Sequence, residues 1–128
     1  MATIRHHTEL EVYQIAFEAA MEIFELSKGF PREEQYALTD QIRRASRSVC
    51  ANITEAWRKR RYRGAFVLRL SDADAEAAET TTWIEFAKSC GYIDGRTAAD
   101  LTKRYDHILG ILVNMMTKPS RWILEPLH

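Results

Sequence analysis

The stretch LTDQIRRASRSVCANITEAW, residues 38–57, decides the fold. Its apolar side chains recur at steps of three and four, the spacing that lines up one face of an α-helix. That face consists of Leu38, Ile42, Ala45, Val49, Asn52 or Ile53, and Ala56. The stretch therefore predicts an amphipathic helix, helix two, over about residues 36–57.

The segment before it has the same periodicity and predicts helix one over about residues 9–28. Its core face would consist of Val12, Ala16, Ala19 and Ile23. Thr8-x-x-Glu11 matches a capping box, in which both side chains satisfy free amides of the first turn. Gly29 is placed to end the helix in a left-handed conformation.

Two further helices follow, over about residues 64–90 and 95–118. The apolar face of helix three consists of Phe66, Leu70, Ala73, Ala77, Ile84 and Ala87; that of helix four consists of Ala98, Leu101, Tyr105, Ile108, Leu112 and Met115. Helix three would end near Gly91, Asp94 can cap helix four, and Pro119 stops it.

These segments predict an all-α protein with one domain over residues 1–128. Glycine and proline are sparse and fall between the periodic segments, so the connections are short. Four helices of similar length with short connections favour an antiparallel up-down-up-down four-helix bundle.

Composition predicts a soluble, cytoplasmic protein without a membrane role. The first ten residues lack the apolar run of a secretory signal, and the longest nearly uncharged apolar run, residues 108–116, is too short to span a bilayer. Cys50 and Cys90 lack metal-type spacing and are expected to be reduced thiols that fill small positions in the core.

Charge is segregated along the chain although the net charge is zero. Residues 1–42 carry −5, residues 43–69 carry +8 and residues 70–128 carry −3. The basic part contains Arg43 and Arg47 and, after them, a continuous segment that consists of Trp57, Arg58, Lys59, Arg60, Arg61, Tyr62 and Arg63. Cations neutralise phosphates and aromatic rings stack on unpaired bases, so the mixture is typical of RNA or single-stranded DNA binding. The alternative is that the arginines pair with the glutamates of helix one, within or between subunits.

Helix one carries more apolar surface than a single bundle needs. Tyr13, Phe17, Ala20 and Phe24 form a second arc beside the core face, and the second half of helix four adds Leu109, Ile111, Val113 and Met116. Large apolar patches on soluble proteins mark interfaces, so we expect a homo-oligomer. The alternative is a wide core covered by these rings. The apolar tail after Pro119, with Trp122, Ile123, Leu124 and Leu127, could dock on its own bundle or on a neighbouring subunit.

A line of polar residues runs along helix two beside its apolar face. Gln41, Ser48, Asn52 and Glu55 lie at helical steps of three and four, with Ala45 between them. Buried amides and hydroxyls fix register and oligomeric state, because other pairings leave them without hydrogen bonds. The alternative is that the line holds a ligand or metal.

These residues resemble a known family. The run from Leu38 to Ala45, continued through Ser48 to Asn52-Ile53-Thr54-Glu55, is similar to the signature of the bacterial four-helix-bundle family associated with intervening sequences in large-subunit ribosomal RNA genes. Leu10-x-Val12-Tyr13-Gln14, Phe30-Pro31 and Gly91-Tyr92-Ile93 extend the likeness to nearly the whole chain.

The resemblance implies a cytosolic bundle that assembles as a ring, typically a homopentamer. The family is similar in architecture to the accessory protein of diversity-generating retroelements, whose positively charged ring binds nucleic acid and a reverse transcriptase. By that comparison Arg43 and Arg44 match the motif's paired arginines, and Gln41, Asn52 and Glu55 its polar positions. Cys50 and Ala56 replace the proline and glycine usual in the family, which favours a straight helix two.

The sequence gives little support to an enzyme. Asp72, Glu76 and Glu79 share one helical face and could hold Mg²⁺, but such a cluster is usually solvated. The Glu-x-x-His pattern from Glu125 to His128 is interrupted by Pro126 and does not form a di-iron motif. We therefore expect no cofactor, no metal and no catalytic residues. The favoured function is a homo-oligomeric, ring-like scaffold or adaptor for RNA, DNA or another protein, and the alternative is direct nucleic-acid binding through residues 57–63.

Overall fold

The structure, a computed structural model, describes residues 3–124 and is an antiparallel up-down-up-down four-helix bundle. The helices are α1 (Glu11–Ser27), α2 (Leu38–Arg58), α3 (Arg63–Ser89) and α4 (Gly95–Thr117). Short 3-10 turns lie at His7–Glu9, Arg32–Glu34 and Pro119–Arg121. Each helix packs on the next in sequence and α1 also packs on α4, with the most extensive contact between α2 and α3. The predicted fold class is confirmed, and the predicted helix bounds differ by one or two residues.

The periodic apolar positions form one continuous core. Every core residue predicted for the four helices is buried, and at the position left open in helix two the buried residue is Ile53, whereas Asn52 is half-buried. α2 runs unbroken through Cys50 and Ala56, as their helix-compatible side chains predict. No helix of the described residues is sufficiently long and apolar to cross a membrane.

The predicted capping box of helix one is wrong. The N-cap of α1 is Leu10, whose side chain makes no capping bond, and Thr8 lies upstream in the His7–Glu9 turn. Leu10 is almost fully buried, and this burial sets the start of α1 at Glu11, too far along the chain for Thr8 to cap. The Thr8 carbonyl instead accepts a hydrogen bond from Gln14 Nε2 at 3.0 Å.

The left-handed glycine lies at α3 rather than α1. Gly29 follows α1 through ordinary turns, whereas Gly91 has φ +78° and is the one left-handed residue between positions 3 and 124. At Gly91 the Tyr92 amide donates to the Ala87 carbonyl at 2.9 Å and the Gly91 amide to the Lys88 carbonyl at 3.0 Å. This is a Schellman motif, which satisfies carbonyls at the end of the helix.

The start of α4 follows the expectation, and the chain after α4 takes one of the two positions that the sequence left open. Asp94 Oδ1 accepts a hydrogen bond from the Thr97 amide at 2.7 Å, so Asp94 caps α4 as predicted. After Pro119 the chain docks on its own bundle: Trp122 is half-buried, and the Leu124 amide donates to the Arg60 carbonyl at 2.9 Å. The rest of the tail, with Leu127 and the Glu-x-x-His pattern from Glu125 to His128, lies outside the described residues.

Candidate functional site

The basic turn, residues 57–63, joins the end of α2 to the start of α3. The Tyr62 amide donates to the Lys59 carbonyl at 3.0 Å and closes the turn, so the cations project from a short, ordered connection. Its exposed side chains are Arg58, Lys59, Arg61, Tyr62 and Arg63. Within residues 3–124 none of these cations forms an ion pair. The turn is therefore a concentration of positive charge that faces solvent.

Trp57, which the sequence predicts to take part in nucleic-acid binding, is buried in the structure and offers little ring surface for stacking. It is 5% exposed, and the Arg60 guanidinium covers it, with Cζ 3.4 Å from the ring centroid and Nε donating to the Trp57 carbonyl at 2.7 Å. Partial burial, and then the charges of Arg58 and Arg61, lower the pKa of the Arg60 side chain. Tyr62, 67% exposed among the cations, is the aromatic ring that this turn offers to a ligand.

Of the arginines that lie on α2 in the candidate site, one makes contacts between helices and two are exposed to solvent. Arg43 Nε donates to Ser27 Oγ at 2.8 Å, and its guanidinium lies 4.9 Å from the Phe24 ring, so it ties α2 to α1. Arg47 is exposed and lies 5.6 Å from the same ring. Arg44 is exposed and forms a 3.8 Å ion pair with Asp40.

Within residues 3–124 the glutamates of α1 form no ion pairs with these arginines. In the described part of the protein, Glu22 pairs with Arg104 of α4 at 2.7 Å and Glu25 with Lys28 at 3.1 Å. The intramolecular pairing that was the alternative to ligand binding is therefore not the arrangement in the described residues.

The apolar arc of helix one lies at an open face between α1 and α2, which we call the α1–α2 face. Ala20 is buried, Tyr13 and Phe24 are half-buried, and Phe17 is 49% exposed. A groove of about 310 Å³ runs along this face, with Met21 and Cys50 also in its wall. Sequence reasoning missed Met21, although it lies one helical turn after Phe17. The wide-core alternative accounts for Ala20 but leaves Phe17 and Met21 uncovered.

The polar line lies at a second open face, between α2 and α3, which we call the α2–α3 face. Asn52 Nδ2 donates to the Ser48 carbonyl at 3.0 Å and contacts Ser48 Oγ at 3.2 Å, and both residues are half-buried. Gln41 and Glu55 are exposed, so within one chain the line is not buried. A groove of about 370 Å³ continues this face between Gln41, Trp83, Phe86 and Cys90. Its aromatic residues come from α3 and had no signal in the α2 pattern.

The acidic residues of α3 border this second face. Partial burial, then the charge and hydrogen bond of Glu79 and the charge of Asp72, raise the pKa of Glu76. Asp72 also accepts a 3.2 Å hydrogen bond from Arg69, which lies 3.8 Å from Glu55. No group of three or more His, Cys, Asp or Glu residues in positions 3–124 is arranged to hold a metal ion. The second face is therefore apolar with an acidic border.

Comparison with known proteins places the chain in a family. The family model described as 23S rRNA-intervening sequence protein matches residues 8–114. The chain belongs to this family. A solved structure that it resembles is a protein of unknown function from the S23 ribosomal protein family of Bacteroides thetaiotaomicron, with 28% identity and a TM-score of 0.75. The alignment covers 84% of this chain and 96% of the other. No curated protein matches.

The match to the 23S rRNA-intervening sequence protein family includes the features described above. Residues 8–114 contain α1, α2, α3, most of α4, the basic turn and both open faces. The docked tail around Trp122 lies beyond the matched range. The family description links these proteins to an intervening sequence of ribosomal RNA, and neither it nor the solved structure names a reaction.

Proposed function

We propose that this chain is a non-enzymatic scaffold that assembles from copies of itself into a ring, with five subunits as the family resemblance implies. The observation that carries the proposal is the α1–α2 face, where Phe17 and Met21 remain about half exposed beside the half-buried Tyr13 and Phe24. Contiguous exposed apolar side chains of this size mark interaction surfaces.

The energetics indicate that the apolar arc of α1 needs a partner surface to cover it. Fully burying a Phe or Met side chain contributes roughly 1.5–3 kcal/mol, so the exposed halves of Phe17 and Met21 contribute about 1 kcal/mol each. Association costs about 4–15 kcal/mol in lost translation and rotation. Two side chains do not offset this cost, and a stable assembly must bury the remaining arc together with an equally large surface on the partner.

Light scattering of the purified protein tests the proposal. We expect Phe17→Glu to lower the mass of the assembled species at micromolar concentration, because it places a charge in a dry contact. Ala99→Glu is the matched control, since Ala99 is an exposed apolar residue of α4, away from the α1–α2 face. Equal masses for the wild type and both variants would contradict the role of this face, provided that circular dichroism shows folded proteins.

Nucleic-acid binding by the basic turn is a second candidate function. The observation that favours it is that Arg58, Lys59, Arg61 and Arg63 are exposed without ion-pair partners in the described residues, around an exposed Tyr62. Phosphates are neutralised by such cations, and a tyrosine ring can stack on an unpaired base. In an assembly the turn would be repeated once per subunit.

Fluorescence polarisation with labelled RNA and single-stranded DNA tests this second candidate. We expect binding at ~50 mM salt that weakens steeply by ~200 mM, because phosphate contacts release counterions. Arg61→Glu with Arg63→Glu should abolish the signal, whereas Arg96→Glu with Lys103→Glu, which also reverses two exposed cations, should retain it. Absence of binding at low salt would reject the candidate.

A further inference from the structure

Two apolar faces flank α2, and their charges are opposite. At the α1–α2 face the Phe24 ring is surrounded by cations, with Lys28 Nζ at 4.8 Å, Arg43 Cζ at 4.9 Å and Arg47 Cζ at 5.6 Å from its centroid. Aromatic rings and guanidinium groups are common at the centres of protein interfaces. This face is thus apolar with a basic border.

The α2–α3 face has the complementary character. Phe86 is exposed and Trp83 half-buried beside it, with ring centroids 5.8 Å apart, and Leu68 is a further exposed apolar side chain of α3. Its border carries Glu55, Asp72, Glu76 and Glu79; Glu55 and Asp72 already pair with Arg69, so Glu76 and Glu79 are the carboxylates that a neighbouring cation would meet. The mutual repulsion of the α3 carboxylates, which contributes to the raised pKa of Glu76, is the kind of strain that an incoming cation relieves.

The two borders also lie at matching heights along the bundle. The Glu55–Arg69 ion pair fixes the alignment of α2 and α3, which run antiparallel. Eight residues along α2 lead from Glu55 to Arg47, and eight along α3 lead from Arg69 to Ala77, so both steps cover the same rise. Arg47 is therefore level with the segment that contains Glu76 and Glu79. Copies placed side by side in the same orientation bring these charges to one level.

We infer that the α1–α2 face of one copy packs head to tail on the α2–α3 face of the next copy, an arrangement that rests on the proposed homo-oligomer. A contact between two different faces of the same chain generates a ring when the rotation closes. Arg47 of one copy then meets Glu76 and Glu79 of its neighbour, and Phe17 and Met21 are covered by α3.

This arrangement has a consequence for the basic residues. Both contacting faces border α2, so the exposed edge of α2 between them, with Arg44 and Arg58, lies on the same side of every subunit. In a closed ring these edges come together on one surface. The polar line of α2 is then buried between copies, where its amide and hydroxyl groups fix the register.

A charge exchange tests the pairing. Arg47→Glu alone and Glu79→Arg alone should each cause loss of the assembled species in sedimentation velocity, because like charges then face one another across the contact. The double variant Arg47→Glu with Glu79→Arg should restore the assembly. Arg44→Glu with Glu79→Arg is the matched control and should not restore it, since Arg44 lies outside both faces.

The outcomes separate this inference from the proposed function. A wild-type chain that is monomeric overturns the homo-oligomer itself. If both single variants leave the wild-type assembly intact, the pairing of faces is overturned but the scaffold is retained. The same conclusion follows if the double variant stays dissociated while circular dichroism shows that it is folded. A wild-type assembly of only two copies overturns the head-to-tail contact, because a two-fold dimer uses the same face on both subunits.

Discussion

At the scale of single residues, the hydroxyl of Tyr105 is the least expected feature of the core. Tyr105 is fully buried in α4, and its hydroxyl has no hydrogen-bond partner among residues 3–124. Burial raises its pKa, so the hydroxyl stays neutral. A buried hydroxyl without a partner costs about 1–3 kcal/mol relative to water, whereas the ring itself fills the centre of the bundle.

We predict that Tyr105→Phe leaves the free energy of unfolding unchanged or raises it by about 1 kcal/mol, because the variant keeps the ring and removes the unpaired group. Tyr105→Ala should lower it by about 3–5 kcal/mol through the cavity that it creates. Urea denaturation measures both. A loss of more than about 1 kcal/mol in Tyr105→Phe would show that the hydroxyl makes a stabilising hydrogen bond.

The two cysteines should differ in reactivity. Cys50 lies half-buried between α1 and α2, where burial raises the pKa of its thiol to about 11. Cys90 is exposed after α3, so it is not the core residue that the sequence predicts. Since the thiolate is the reactive form, iodoacetamide at pH 8 should label Cys90 and spare Cys50 in the folded, dissociated Glu79→Arg variant, in which no neighbouring copy covers the α2–α3 face. Intact-mass measurement gives the count, and both cysteines should react in denaturant. One label retained in folded Cys90→Ser would contradict the assignment.

The raised pKa of Cys50 also predicts a pH dependence. The thiol has a pKa near 9 in the unfolded chain and about 11 in the folded chain. Its contribution to stability is therefore complete below pH 9 and is lost as the pH rises toward 11. The wild type should therefore lose more stability than Cys50→Ala between pH 8 and pH 10.5 in thermal unfolding. An equal loss in both proteins would show that Cys50 ionises freely in the folded state.

At the scale of helices and turns, two glycines should respond oppositely to the same change. Gly91 has φ +78° in the Schellman motif, a conformation that costs an alanine about 1 kcal/mol or more. Gly110 lies inside α4 with open space around the position of a Cβ. We predict that Gly91→Ala lowers the melting temperature and Gly110→Ala raises it. A rise in Gly91→Ala would contradict the left-handed end of α3.

The helices could be predicted from sequence better than their ends. Periodicity identifies core faces because burial along a helix repeats every three to four residues, and this holds for α1 through α4. Caps depend on contacts that the local sequence does not contain. Thr8 and Glu11 have the spacing of a capping box, but the burial of Leu10 moves the helix start. Gly29 and Gly91 both follow helices, and only the second adopts the left-handed conformation.

The candidate site shows the same division. The basic turn could be located from sequence because its cations are consecutive. The burial of Trp57 could not, because the groove over it is built with Ile4 at one end of the chain and with Trp122 and Leu124 at the other. The α2–α3 face was likewise missed as a unit, since Gln41 and Phe86 become neighbours only when α2 and α3 pack.

At the scale of the whole molecule, the central claim is that the bundle is a subunit rather than a complete unit. The charge segregation along the sequence becomes a spatial one, with a basic border at the α1–α2 face, an acidic border at the α2–α3 face and the basic turn at one end. The proposed pairing of complementary faces on opposite sides of α2 accounts for how a chain of zero net charge would attract its own copies.

The native mass of the wild-type protein tests this claim most directly. Light scattering during size-exclusion chromatography at micromolar concentration should give a single species of about 74 kDa, five times the 14.8 kDa subunit. A particle of 14.8 kDa at every concentration from one to one hundred micromolar would contradict the claim.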